Sequence, residues 1–134
     1  MPPQYSSLFF LKKIPIWEKV RNFEPKFKAF YFFAMRIITK RRLQDFIEMY
    51  PDAEIPLVFW YNVVKNNDFY TPQSLTSAFK GADYVGNNRI VFNIAKNKYR
   101  LIAKFEFHEK AQLCFVRFIG THKAYDLIED IKNI

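Results

Sequence analysis

The run Tyr99-Arg100-Leu101-Ile102-Ala103-Lys104-Phe105-Glu106-Phe107 decides the fold of this chain. From Lys98 to Phe107, Tyr99, Leu101, Ala103, Phe105 and Phe107 alternate with Lys98, Arg100, Ile102, Lys104 and Glu106. A period of two marks a half-buried strand, because successive side chains of an extended chain point to opposite faces. The stretch Arg89 to Ala95 behaves alike, with Ile90, Phe92 and Ile94 on one face and Arg89, Val91 and Asn93 on the other. Lys96-Asn97 between the two runs predicts a tight hairpin, since asparagine tolerates the left-handed conformation such a turn needs. A third run, Gln112 to Ile119, follows the turn at His108-Glu109-Lys110, and both of its sides are apolar. Consecutive strands joined by short turns pair antiparallel, so these residues predict a three-stranded meander.

The segments before the meander carry helical spacing. Met35-Arg36-Ile37-Ile38 predicts a short strand and Thr39 an N-cap. Leu43, Phe46, Ile47 and Tyr50 then recur on one face of a helix that Pro51 ends. A second helix starts around Glu54 to Pro56, where proline is tolerated in the first turn, with Leu57, Trp60, Tyr61 and Val64 as its apolar stripe. The stretch from Lys65 to Asp68 is a loop, and Thr71-Pro72 opens a shorter helix through Phe79. After the last strand, Thr121 caps a final helix with Tyr125, Ile128 and Lys132 on one stripe. Strand, helices, meander and C-terminal helix make an α+β domain with the helices packed on an antiparallel sheet.

With 134 residues, half of them apolar and 19% aromatic, the chain has material for one packed domain. Its formal charge of +8 favours polyanionic partners: nucleic acid, the ribosome or an acidic surface. A single cysteine, Cys114, excludes an internal disulfide and a Cys-rich zinc site, and in its apolar strand it reads as packing. Two distant histidines give no metal-binding spacing, so no metal and no small-molecule cofactor is expected. The apolar patch Leu8 to Leu11 is too short for a signal core, and the run Ala29 to Met35 is too short to span a bilayer; no membrane role and a cytoplasmic location are expected.

The chain divides near Met35. Residues 1–34 carry Pro2, Pro3, Pro15 and Pro25, and aromatics from Phe23 to Phe33 at partial helical spacing. Six basic against two acidic residues before Met35, and fifteen against eleven from there on, leave +4 on each side. This extension shows no chemistry; a flexible arm, a helix laid on the domain, or read-through upstream of a start at Met35 all fit it, the last best. The patterned domain is residues 35–134.

Three groups of residues exceed what packing requires. Alternation puts Lys98, Arg100 and Lys104 together on the face away from the core, with Arg117 on the next strand, and clustered like charges favour a bound anion. A solvated charged face is the plainer reading. Lys40, Arg41 and Arg42 occupy a first helical turn, where the helix dipole disfavours cations; RNA contact and simple surface variation both account for them. Thr121-His122-Lys123-Ala124-Tyr125-Asp126 gathers an imidazole, a cation, a phenol and a carboxylate within one turn after a strand. Ordinary exposed residues behind a capping threonine are the plainer alternative there, and His108 reads as surface.

The same residues carry a family resemblance. Residues 35–134 resemble the HigB toxins, within the RelE-like group, at Pro51-Asp52-Ala53-Glu54 leading to Leu57 and Trp60-Tyr61. The likeness continues at Ala82-Asp83-Tyr84-Val85-Gly86, Val91-Phe92-Asn93-Ile94 and Asn97-Lys98-Tyr99-Arg100-Leu101-Ile102-Ala103. It ends at Arg117-Phe118-Ile119-Gly120-Thr121-His122-Lys123-Ala124-Tyr125-Asp126, where the His-x-x-Tyr-Asp ending is the most specific feature. Residues 1–34 fall outside the family pattern. The resemblance implies a RelE-like fold and a toxin that cleaves mRNA on the ribosome, without metal, by 2′-OH attack. It also implies neutralisation by a HigA-type antitoxin with a helix-turn-helix domain. On that chemistry Arg100 and Arg117 would stabilise the phosphate, and His122 would exchange protons. Tyr125 would orient the phosphate or stack on a base, and Lys98, Lys104, Lys123, Arg41 and Arg42 would hold RNA. In the alternative, Lys123 and Asp126 would support the reacting groups. The competing readings are a non-catalytic basic module that binds RNA or a partner, and a RelE-like fold directed at another target such as gyrase.

Overall fold

The computed structural model describes residues 35–109 and 111–134. The extension read at residues 1–34, with its proline and aromatic pattern, lies outside the described residues. Among those described, the elements run β1 (Met35–Ile38), α1 (Lys40–Met49), a 3-10 turn (Pro51–Ala53), α2 (Glu54–Asn66) and α3 (Pro72–Ala78). They continue with β2 (Asp83–Gly86), β3 (Arg89–Ile94), β4 (Tyr99–Phe107), β5 (Gln112–Thr121) and α4 (His122–Asp126). The five strands form one mixed sheet in the order β1-β5-β4-β3-β2, with β1 parallel to β5 and every other pair antiparallel. This is the expected α+β architecture, with the meander at its centre.

The alternation in β4 sorts the sheet faces as its sequence dictates. Tyr99, Leu101, Ala103 and Phe105 are buried on the helix side, with Ile90, Phe92 and Ile94 from β3 and Cys114 and Val116 from β5. Leu43 and Phe46 of α1 and Leu57, Trp60, Tyr61 and Val64 of α2 cover them. Each such large side chain contributes about 1.5–3 kcal/mol when fully buried, and aromatic edges interlock across the layer. The ring of Phe92 meets Trp60 at 5.4 Å and Phe79 at 5.0 Å, both edge-on. The β3–β4 hairpin turns through Ala95, Lys96 and Asn97, all at positive φ, and closes with Lys98 N–H donating to the Ala95 carbonyl at 3.1 Å. In α3, Thr71 and Ser74 form a reciprocal capping box, and Pro72 fits its first turn.

Three local readings need correction, and one strand has to be added. Asp83–Gly86 is a strand at the sheet edge, too short and too polar to declare itself by alternation. Thr39 does not cap α1: it sits at φ 66° with no capping bond. Its hydroxyl instead donates to the Val116 carbonyl at 3.0 Å and accepts from Val116 N–H at 3.1 Å, fastening the end of β1 to β5. The helix after Thr121 ends at Asp126, short of the stripe read out to Lys132. Helix α2 also extends over Lys65 and Asn66, which read as loop.

The ambiguity of β5 has a structural cause. Ile102 pairs with Phe118 and Ala103 with Val116, so Arg117 is an extra residue, a β-bulge. Val116 and Ile119 can therefore both face the core although three positions separate them. The sheet's second face is not an open charged surface either. Val91 and Ile102, neighbours in register, are buried there, and Arg89 is buried beside them. The segment after α4 returns along this face. Arg89 donates to the Ile134 carbonyl from β3 at 3.0 Å and Arg117 donates to it from β5 at 3.2 Å, which sets Ile134 over the intervening β4. The Asn87 amide donates to the Lys132 carbonyl at 3.1 Å.

Candidate functional site

Strand β5 delivers its last residues directly into α4. Thr121, extended at φ −67° and ψ 160°, accepts from Ala124 N–H at 3.1 Å, so the predicted cap forms and His122 begins the helix at once. One helical turn then brings His122 Nδ1 within 3.1 Å of Asp126 Oδ2, with both side chains about half exposed. The Tyr125 ring stands near two functional groups that come from different elements. The Arg100 guanidinium carbon sits 5.7 Å from its centroid, and the His122 ring meets it edge-on at 6.5 Å. Arg100 reaches this position because it stands opposite Gly120 in the β4–β5 register and donates to the Asn97 carbonyl at 3.1 Å. A strand cation, a helix imidazole and a phenol thus share one corner of the second face, where a phosphate would meet charge and proton-exchanging groups together.

The other basic residues are placed differently. Arg117 is exposed at the bulge, its carbonyl accepting from Arg42 at 2.7 Å and its Nε donating to Ile134. Two terminal guanidinium nitrogens remain for a phosphate. Arg42 is therefore a brace for the bulge, whereas Arg41 is exposed on α1 and Lys123 on α4.

Lys98 does not join Arg100 and Lys104. It precedes β4 in the hairpin and forms an ion pair with Asp52, in the turn between α1 and α2, while standing 5.5 Å from the Tyr99 ring centroid. Tyr99 donates its hydroxyl to the other Asp52 oxygen at 2.6 Å. The Lys98 and Tyr99 hydrogen bonds hold the Asp52 carboxyl below its usual range, and Asp52 raises Lys98 in turn. Desolvation, then the Asp52 hydrogen bond, raises the Tyr99 phenol. Lys104 pairs with Glu106 at 3.3 Å, and Glu106 also meets His108 at 3.1 Å. Bonds to His108 and Lys104 keep the Glu106 carboxyl low. The cluster of free cations expected on this face is thus reduced, with Arg100 remaining at the Tyr125 corner. Sequence reasoning missed the Asp52 lock, since nothing local links positions 52 and 98, and missed Phe118, whose ring centroid lies 6.5 Å from that of Tyr125.

Among the described residues no group of three or more His, Cys, Asp or Glu side chains could hold a metal ion. No helix among them is long and apolar enough to cross a membrane.

A family model described as HigB_toxin, RelE-like toxic component of a toxin-antitoxin system, matches residues 53–128. The chain belongs to the HigB toxin family. Within that family it is 35% identical over 95 residues to the mRNA interferase toxin HigB of Escherichia coli (strain K12), covering 69% of this chain and 88% of the relative. The mRNA interferase HigB of Shigella flexneri matches to the same extent. That of Escherichia coli O6:H1 is 33% identical over 94 residues, covering 69% of this chain and 89% of the relative. The HigB family match includes Arg100, Arg117, His122 and Tyr125 and leaves out Arg41, Arg42 and residues 1–34. As a toxin–antitoxin component, a HigB-family chain has an antitoxin as its partner.

Proposed function

We propose that this toxin is an endoribonuclease that cleaves mRNA on the ribosome, in the cytoplasm, and is neutralised by a HigA-type helix-turn-helix antitoxin. The names of its relatives, mRNA interferases, supply the substrate class. The observation that carries the chemistry is the meeting of Arg100 and His122 at the Tyr125 ring.

In this reading the ribose 2′-oxygen attacks the adjacent phosphorus while the bond to the 5′-oxygen breaks. The 2′-hydroxyl proton leaves to a base, and the departing 5′-oxygen gains one. Arg100 and, from the β5 bulge, Arg117 neutralise charge that builds on the phosphoryl oxygens. His122 exchanges the proton: with Nδ1 directed at Asp126, Nε2 is the nitrogen left for the substrate. Tyr125 fixes the angle between the two groups. Lys123 and Arg41, both exposed, add attraction for the RNA backbone.

The test is induction of His122→Ala and Arg100→Ala variants without antitoxin. Loss of growth arrest and of reporter-transcript cleavage in both is expected. Unchanged arrest and cleavage in both removes the site. Retained RNA binding with no cleavage by the parent protein points to a binding module instead.

A further inference from the structure

Among the described residues, Phe118 is the aromatic residue in ring contact with Tyr125 to which the cleavage chemistry gives no work. It lies on the second face of β5, opposite Ile102, and it is absent from the main core on the helix side. Its ring is only partly buried and lies 6.5 Å from the Tyr125 ring, inclined at 50°. What places it there is Gly120. A β-carbon on Gly120 would come within 2.6 Å of Phe118 Cζ and 3.2 Å of both flanking ring carbons, so the Phe118 ring lies directly across the glycine. Gly120 is also the residue opposite Arg100. The backbone φ at Gly120 is not in the left-handed region, so the glycine serves the close approach of the ring and not a turn.

We infer that Phe118 and Tyr125 form a subsite for one unpaired nucleobase next to the scissile phosphate, with Gly120 keeping the Phe118 ring flat. The inference rests on the RNA-cleavage reading and adds a recognition element to it. Every base has a π-face that stacks on an aromatic ring whatever its sequence, and bases that proteins read in RNA are unstacked and splayed onto such rings. A base held against Phe118 and Tyr125 places its own phosphate within reach of the Arg100 guanidinium, which lies over Tyr125. Phe118 is a binding residue in this scheme, and Gly120 a positioning residue acting through it.

The experiment measures cleavage of a short messenger bound to programmed ribosomes, with each nucleotide flanking the scissile phosphate replaced in turn by an abasic one. With the parent protein, one of the two abasic messengers should show KM raised on the order of 10-fold. Phe118→Leu, which keeps an apolar cover over Ile102, should raise KM for the intact messenger by a similar factor and leave kcat within about 2-fold. The abasic change should then add nothing further, and Phe118→Trp should restore KM. Gly120→Ala should reproduce the Phe118→Leu effect without altering the circular dichroism spectrum. Additive losses from Phe118→Leu and the abasic nucleotide, or an unchanged KM in Phe118→Leu, overturn the subsite while the nuclease reading stands. Failure of the parent to cut any messenger overturns the reading beneath it.

Discussion

The Tyr99 hydroxyl donates to Asp52 at 2.6 Å while Lys98 takes the other carboxylate oxygen, so one side chain in the turn before α2 holds both residues leading into β4. Because Arg100 follows immediately and bonds back to Asn97 in the same hairpin, the tie also limits how far Arg100 can move. Asp52→Asn should lower the melting temperature by several degrees, and Lys98→Ala by less, since the lysine is largely exposed and exposed pairs contribute little. Equal melting temperatures for all three proteins would show that the tie carries no stability.

The same carboxylate gives a pH signature. Lys98 and Tyr99 hold its folded-state pKa below the ordinary value, so its contribution is present above the unfolded-state pKa, about 3.9, and is lost as pH falls through the lower folded value. The stability difference between parent and Asp52→Asn should therefore be flat above about pH 5 and shrink below about pH 4. Denaturant titrations at several pH values measure it, and added salt should reduce it because the pair is solvated. A difference that grows on acidification would contradict the assignment.

How much of this was legible beforehand varies with the range of the interaction. The core side of the β4 alternation, the Phe46 and Trp60 helix faces and the Thr121 cap are written within a few residues, and the structure contains each of them. Thr39 misled because a threonine before a helix is a usual cap; a left-handed backbone and a strand partner 77 residues away claimed its hydroxyl. Lys98 misled because strict alternation was extended one residue beyond the strand, and the residue that captures it lies 46 positions away. The meeting of Arg100 with Tyr125 required the β4–β5 register, which depends on a bulge at Arg117 that no local pattern announces.

Thr39 supports a prediction of its own. Thr39→Val keeps the shape and removes both hydrogen bonds to Val116, leaving a part-buried carbonyl and N–H unpaired, at a cost of about 2 kcal/mol. Thr39→Gly loses the same bonds and relieves the left-handed backbone, so it should cost about 1 kcal/mol less. Urea unfolding of both variants checks the order, and a glycine variant less stable than the valine one would refute it.

Cys114 is fully buried in β5, and burial pushes its thiol far above the usual range. The neutral thiol is a poor nucleophile, so iodoacetamide should leave the native protein unmodified over hours at pH 8 and label it rapidly in denaturant. Fast labelling of the native protein, read by mass spectrometry, would mean that β5 opens locally far more often than its central place in the sheet allows.

Asp126 separates orientation from charge at the proposed site. Its carboxylate faces His122 Nδ1 at 3.1 Å and thereby favours the tautomer that carries the proton on that nitrogen. Asp126→Ala removes this partner and should reduce single-turnover cleavage on the order of 10- to 100-fold, less than the roughly 10²- to 10⁴-fold attributed to the proton-transfer group itself, because the imidazole remains. Asp126→Asn keeps an amide oxygen that can still accept from Nδ1–H, so its loss should be smaller, and its Kd for the programmed ribosome should match the parent. If the two variants lose cleavage equally, the alignment of the imidazole by a hydrogen bond is not what Asp126 supplies. If Kd weakens in step with the rate, Asp126 acts on binding, and His122 has to be aligned by the edge of the Tyr125 ring alone.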